Sequence, residues 1–215
     1  MIIKWLGHSC FLITSNEGLR IITDPYDTTG GISYSPINEA ASIVIVSHDH
    51  FDHNNVSAVQ GNPEVVKGSG IITAQEIQFK GITTYHDTAQ GKQRGPNTVF
   101  CFSLNNLNLC HLGDLGHVLG QQQVEQIGTV DILLIPVGGY FTINAAEASQ
   151  VCDQLKPRVV IPMHFKTSRC SLPIAGVEDF LKGKKHVRKL DSSEIEFKAK
   201  ELPADTEIVV LKHAL

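Results

Sequence analysis

Three imidazoles and the carboxylate of Asp52 are packed into Ser47-His48-Asp49-His50-Phe51-Asp52-His53, directly after the apolar run Ile43-Val44-Ile45-Val46. Alternate residues leave a strand on the same side, so His48 and His50 are expected to converge on one point as the strand ends. Asp52 and His53, past the strand and at the start of a helix, turn toward a second point close by. Imidazole is the commonest metal ligand, and a mixed set of histidines and carboxylates suits zinc, iron or manganese. With ten histidines in the chain some clustering arises by chance, but this spacing directly behind a buried strand reads as half of a two-metal site.

Two metals need about six to eight ligands. The rest are expected at strand ends, where a side chain enters a cleft while its backbone stays in the sheet. His86, in Thr83-Thr84-Tyr85-His86-Asp87, ends one strand. Asp114, in Cys110-His111-Leu112-Gly113-Asp114, follows another, with Gly113 allowing close backbone approach. His164, in Ile161-Pro162-Met163-His164-Phe165, follows a third. Singly, His86 could be a hydrogen-bonded surface histidine, Asp114 the cap of a turn at Gly116, and His164 a packing residue. Three such residues, each behind an apolar strand, are harder to dismiss together.

The elements that must carry these residues change character along the chain. The first half reads as short strands: Ile2–Leu6, Cys10–Thr14, Leu19–Thr23 after a turn at Ser15-Asn16-Glu17-Gly18, Ile43–Val46, Glu64–Lys67, Gly70–Thr73 and Gln78–Tyr85. A short helix is expected over Asn54–Gln60, and a hairpin across Asn105-Asn106 joins Thr98–Leu104 to Leu107–Leu112. In the second half the helices Gln121–Ile127, Ala145–Leu155 and Val177–Leu181 alternate with the strands Asp131–Val137 and Arg158–Pro162, and Pro157 marks the end of the second helix. Three more strands are expected at Val187–Leu190, Glu194–Lys200 and Glu207–Lys212. This order favours an α+β sandwich, two sheets face to face with helices outside. The 215 residues offer no linker and are read as one domain, residues 1 to 215.

The composition sets limits. A hydrophobic content of 42% is that of an ordinary globular chain with a sizeable core. No stretch approaches the roughly 18 apolar residues that span a bilayer, and the start lacks the pattern of a signal peptide, so a cytoplasmic location is expected. A formal net charge of −4 argues against general nucleic-acid binding. The basic cluster between Lys182 and Lys189 reads as a solvated helix end. Five widely spaced cysteines with no Cys-x-x-Cys pair suit reduced thiols.

The chain resembles the metallo-β-lactamase superfamily of metal-dependent hydrolases. His48-x-His50-x-Asp52-His53 matches its signature, Thr23-Asp24-Pro25 the acidic residue before it, and His86, Gly113-Asp114 and His164 the later ligand positions in order. Gly7-His8-Ser9, Tyr85-His86-Asp87 and Pro162-Met163-His164 most resemble the small ascorbate-6-phosphate lactonase-like members. The N-acylphosphatidylethanolamine phospholipase D type is more distant. The likeness spans roughly residues 1 to 170 and says little about substrate. It implies a four-layer αββα sandwich with two mixed sheets. His48, His50 and His86 would hold one metal and Asp52, His53 and His164 the other, with Asp114 between them. Asp24 would orient the histidine loop from behind, and His8 and His111 would support the ligands rather than join them. Asp114 stands where some true β-lactamases carry a cysteine, which weakens any antibiotic-hydrolysing role.

Two ions about 3.5–4 Å apart would share a water and lower its pKa toward about 7. The expected chemistry is attack by that hydroxide on a small ester, lactone or phosphoester, with Asp52 passing a proton to the leaving group. Zinc is the default ion; manganese and iron accept the same residues. Substrate contacts are expected from the loops that carry Tyr34, Arg94, Tyr140 and Arg169, with the two arginines able to clamp an anion. The alternatives are a phosphodiesterase or ribonuclease of the same superfamily, a di-iron oxidoreductase, and a metal-binding regulatory domain. The expected partner is a small molecule, with a homo-oligomer left open.

Overall fold

The computed structural model describes all 215 residues. In chain order the strands are β1 (Ile2–Gly7), β2 (Cys10–Thr14), β3 (Arg20–Thr23), β4 (Ile43–Val46), β5 (Glu64–Lys67), β6 (Gly70–Ala74), β7 (Ile77–Tyr85), β8 (Pro96–Leu104) and β9 (Leu107–His111). Helix α1 (Gln121–Ile127), β10 (Ile132–Pro136), α2 (Ala145–Leu155), β11 (Val159–Met163) and α3 (Val177–Leu181) come next, then β12 (Val187–Lys189), β13 (Glu194–Glu196) and β14 (Glu207–Val210). They form two mixed sheets, six strands in the order β13-β1-β2-β3-β4-β5 and eight in the order β12-β14-β11-β10-β9-β8-β7-β6. This is an α+β sandwich.

Strand β4 shows why the sequence builds it. All four of its residues are buried, Ile43 and Ile45 in the main core and Val44 and Val46 in a second cluster. A strand covered on both faces must be apolar throughout, and Ile-Val-Ile-Val is also strongly β-favouring. The main core holds the inward side chains of both sheets together with Ile127 of α1, Ala148, Val151 and Leu155 of α2, and Phe180 and Leu181 of α3. On the other outer face, the 14-residue cluster is closed by Tyr26, Ile32, Tyr34, Ile37 and Ala41 from the segment between β3 and β4. That layer is irregular chain rather than helix.

Local chemistry sets the boundaries. Asn105 and Asn106 both take positive φ, +50° and +61°, which the two-residue β8–β9 turn demands and asparagine tolerates. Helix α2 starts on a reciprocal cap: Asn144 accepts from the backbone N–H of Ala146 and Glu147, and Glu147 accepts from Asn144 N. It stops at Lys156 in the left-handed region, just before Pro157. The expected helix at 54–60 is only one 3₁₀ turn, Val56–Ala58. Consequently Asp52 and His53 lie in a turn, not at a helix start. The chain there is pinned instead by Asn55 N donating to Pro25 O at 2.8 Å and Asp27 N to Phe51 O at 3.0 Å.

Strand direction decides where a site can form. Strands β3 and β4 are parallel neighbours in the first sheet, and β9, β10 and β11 are parallel in the second. Their C-terminal ends open at one rim, where loops can leave without crossing the sheets.

Candidate metal centre

The rim gathers every strand-end residue that the sequence marks as a ligand. Asp114 Oδ2 lies 3.2 Å from His53 Nε2, 3.2 Å from His86 Nε2, 3.3 Å from His164 Nε2 and 4.0 Å from His48 Nε2. His48 Nε2 and His50 Nδ1 are 3.1 Å apart, and Asp52 Oδ2 is 3.7 Å from His53 Nε2. Three groups emerge: His48–His50–His86, Asp52–His53–His164 with His8, and Asp24–His48–His53, which shares a histidine with each of the other two. The seven side chains come from four places far apart in sequence, and all but exposed His50 are buried.

Several are held from behind. Asp24, at the end of β3, accepts from Ser47 N (2.8 Å), Ser47 Oγ (2.6 Å) and His53 Nδ1 (2.9 Å). Since Ser47 gives its proton to Asp24, its oxygen is left to accept from His48 Nδ1 at 2.9 Å. Both imidazoles therefore carry hydrogen on Nδ1 and present Nε2 to the cleft. Asp114 N donates to Asn97 Oδ1 at 2.9 Å, while Asn97 Nδ2 bonds Thr84 Oγ1 and Leu112 O. Gly113 makes that turn possible: its φ is +55°, and a Cβ there would sit 2.4 Å from Asn97 Oδ1 and 2.5 Å from Ser47 Cβ. His111 donates to Ser9 O and accepts from Gly113 N, both at 3.1 Å, so neither nitrogen is free to ligate.

The carbonyl of His8 links the two sheets at the rim. His8 O accepts from Trp5 Nε1 at 3.0 Å and from His164 N at 3.2 Å, tying the β1–β2 turn to the end of β11. His8 itself contacts Asp52 Oδ2 through Nε2 at 3.1 Å. His8, Asp24 and His164 all have positive φ, +50°, +39° and +50°. For residues other than glycine each such conformation costs about 1–3 kcal/mol, and such strain gathers at functional sites.

This crowding sets the electrostatics. Burial, aided by neighbouring His53, pushes His48 down to about 3, and burial with His164 nearby lowers His8 to about 4. Burial alone would raise Asp114, but His164, His53 and His86 overcome it and hold the carboxyl well below its usual range. Asp52 is likewise held low against burial, by His53 and by its bond to His8. His53 goes the other way: burial disfavours its charge, yet Asp114 and Asp52 raise it well above the ordinary histidine value.

This set fits a metal centre. His53 Nε2 and Asp114 Oδ1 are buried without any hydrogen-bond partner. A tetrahedral site with bonds near 2.1 Å has ligand atoms about 3.4 Å apart, close to the spacings between His48, His50, His53, His86, His164 and Asp114. Neutral imidazoles and ionised carboxylates are the forms that bind metal.

The residues expected to meet substrate fare differently. Arg94 lines a cleft of about 380 Å³ whose floor is His50, Asp52, His86, Asp114 and His164. Tyr140 is 67% exposed beside Phe141, which does line the cleft. Arg169 is exposed outside the cleft, and Tyr34 is buried with its hydroxyl on Thr167 Oγ1 at 2.9 Å. Three residues without an assigned role in the sequence prove structural to the site: Ser47, Asn97 and Asp87. Asn97 is fully buried at an inward position of β8, and an amide at such a position is the signal that could have marked it. Asp87 accepts from four backbone N–H groups, those of Ala89, Gly91, Gln93 and Arg94, at 2.7–2.9 Å.

A family model described as beta-lactamase superfamily domain matches residues 2–164. A UPF0173 metal-dependent hydrolase of Carboxydothermus hydrogenoformans is 30% identical, over 78% of this chain and 85% of its own length. Another of that name, from Pyrobaculum neutrophilum, is 28% identical over the same shares. A Thermotoga maritima crystal structure, assigned by inference to the Zn-dependent hydrolases of the metallo-beta-lactamase superfamily, is 38% identical with a TM-score of 0.81, covering 98% of this chain and 97% of that one. With this match across the rim that carries the histidines, the chain belongs to the metallo-β-lactamase superfamily.

Proposed function

We propose that the protein is a hydrolase that works with two divalent metal ions, zinc by default, on a small ester, lactone or phosphoester. The observation that supports it best is the convergence of four imidazole nitrogens within 4.0 Å of the single oxygen Asp114 Oδ2. His48, His50 and His86 would hold one ion, Asp52, His53 and His164 the other, and Asp114 would face both. When bound, the ions supply an activated water and polarisation of the substrate oxygen. The names of the relatives, metal-dependent and Zn-dependent hydrolases, agree with this reading.

The chain supplies the rest. Asp24 and Ser47 fix the tautomers of His53 and His48. Asp52 lines the cleft, kept as a carboxylate by His53 and His8, and is placed to take a proton from the attacking water and return it to the leaving oxygen. Asp114, enclosed by histidines, keeps its charge and draws them together. The substrate is read as a small molecule, matched to the size of the cleft over the histidines. No helix here is long and apolar enough to span a bilayer.

Metal analysis of the purified protein, with hydrolysis of a panel of esters, lactones and phosphodiesters, tests this. Wild type should carry up to two ions per chain and hydrolyse at least one class, and His48→Ala and Asp114→Ala should lose both properties. Full turnover in a variant stripped of metal would overturn the proposal.

A further inference from the structure

The cleft above the metal centre has apolar and cationic parts. Phe51, Phe141 and Leu172 line it, and Phe51 is 49% exposed. Beside Phe141 lies Arg94, the one cation lining the cleft. Arg94 is half-buried, its guanidinium has no carboxylate within 4.0 Å, and its side chain makes no hydrogen bond. The nearest alternatives are already engaged: Lys67 is bonded to Asp49, and Lys166 donates to Leu172 O at 2.7 Å.

The arginine is also held in place. Its backbone N–H donates to Asp87 Oδ2 at 2.8 Å, and Asp87 gathers the whole turn from Ala89 to Arg94 through its other three acceptor bonds. At the other end, the guanidinium carbon lies 5.7 Å from the centre of the Phe141 ring, within cation–π range. Its N–H donors therefore stay free while its position is fixed at both ends. A partly desolvated guanidinium without an anion is costly, and its fork fits a carboxylate or phosphate.

Arg94 stands at a boundary as well. It lines a second groove of about 460 Å³, with His48, His50, Lys67, Ser69 and Asn97, that is mostly polar. The apolar cleft and the polar groove thus meet at Arg94 and His50.

We propose that this cleft selects amphipathic anions: esters or lactones with an apolar aryl or acyl body lying against Phe51, Phe141 and Leu172, and an oxyanionic end, carboxylate or phosphate, gripped by Arg94. This rests on the hydrolase reading and narrows it, since a neutral or polyhydroxylated substrate would leave the arginine unpaired and the apolar wall wet. A volume near 380 Å³ lies within the roughly 300–1,000 Å³ of small-molecule sites.

The test uses the protein as purified and its variants Arg94→Gln and Arg94→Lys. Turnover is compared for mono-4-nitrophenyl glutarate, neutral 4-nitrophenyl butyrate and polyhydroxylated gluconolactone. Binding of phenylphosphonate, benzoate and methylphosphonate is measured separately by calorimetry. Wild type should favour the glutarate over the butyrate in kcat/KM, and Arg94→Gln should shrink that ratio about tenfold or more, mostly through KM, with Arg94→Lys between. Phenylphosphonate should bind more tightly than methylphosphonate and weaken about tenfold in Arg94→Gln; benzoate against phenylphosphonate tells which oxyanion the fork prefers. Equal use of glutarate and butyrate, preference for gluconolactone, or anion binding unchanged in Arg94→Gln would each overturn the proposal. If no ester or lactone is turned over, the hydrolase reading is what fails, and the binding arm still decides the role of Arg94.

Discussion

Asp24 and His53 lie 29 residues apart and share a 2.9 Å hydrogen bond in which both side chains are wholly buried. The same carboxylate takes the backbone and hydroxyl protons of Ser47, so one group at the end of β3 orients the whole histidine turn behind β4. A carboxylate behind a histidine fixes the ring's tautomer and raises its basicity, and losing such a partner typically costs about 10–100-fold in metal affinity. Asp24→Asn should therefore weaken zinc binding by about that factor, because an amide turns an N–H toward one of three donors. Competition against a chromophoric chelator measures it. Unchanged affinity would mean that Asp24 supports the fold alone.

Gly116 offers a purely steric test. A Cβ at this position would lie 2.3 Å from the carbonyl carbon of His86 and 2.3 Å from Asp87 N. Neither backbone atom can move without shifting His86 or the turn that Asp87 organises. Gly116→Ala should cost about 1–3 kcal/mol by overpacking and also lower metal content. Urea unfolding with metal analysis separates the two effects. A Gly176→Ala control, at φ −75° with no atom within 4 Å, should leave metal content alone.

Glu39 gives a pH test far from the histidines. It bridges Lys4 on β1 and Arg20 on β3, with Lys4 Nζ at 2.8 Å and Arg20 Nη2 at 2.5 Å. Burial is the largest single influence and opposes its charge, but Lys4 and Arg20 together prevail and lower its carboxyl below the ordinary glutamate value of 4.5. A lowered folded-state pKa stabilises above the unfolded value and is lost as pH falls through the folded one. Wild type should thus exceed Glu39→Gln in stability at pH 7 by under about 1 kcal/mol, given the solvent screening of this partly exposed pair. The gap should close as pH falls below about 4. Paired denaturation curves across that range give the answer, and a gap that widened in acid would contradict the assignment.

The strand-end residues were legible because their causes are local. A buried strand must be apolar, and a ligand must come after it where the backbone leaves the sheet, so His48, His86, Asp114 and His164 could be located from the runs before them. The α+β sandwich could be read from the same runs and from the helix stopped before Pro157. What did not show is what depends on distant partners. Nothing around Asn97 reveals that its amide spans Asp114, Leu112 and Thr84, and nothing around Asp87 reveals four backbone donors folding onto it. Tyr34 read as a loop residue open to substrate, yet it closes the outer face of the first sheet, where irregular chain replaces a helix. Local polarity at 54–60 resembled a helix because a single 3₁₀ turn and a short α-helix share their first residues.

Metal uptake should release protons. Before an ion binds, His53 is surrounded by Asp24 at 2.9 Å, Asp114 at 3.2 Å and Asp52 at 3.7 Å. These carboxylates outweigh burial and keep the ring protonated above the ordinary histidine value of 6.5. His48, lowered to about 3, is already neutral. An ion taken by His53 Nε2 must displace the proton there, whereas one taken by His48 Nε2 displaces none. Titrating zinc into chelator-stripped protein at pH 7 should therefore release about one proton per chain from this residue. Calorimetry in buffers of different ionisation enthalpy reads that number directly. The number released should fall by about one in His53→Ala. Zinc uptake without proton release would show that the three carboxylates do not hold His53 charged, and that the cluster is neutralised in another way.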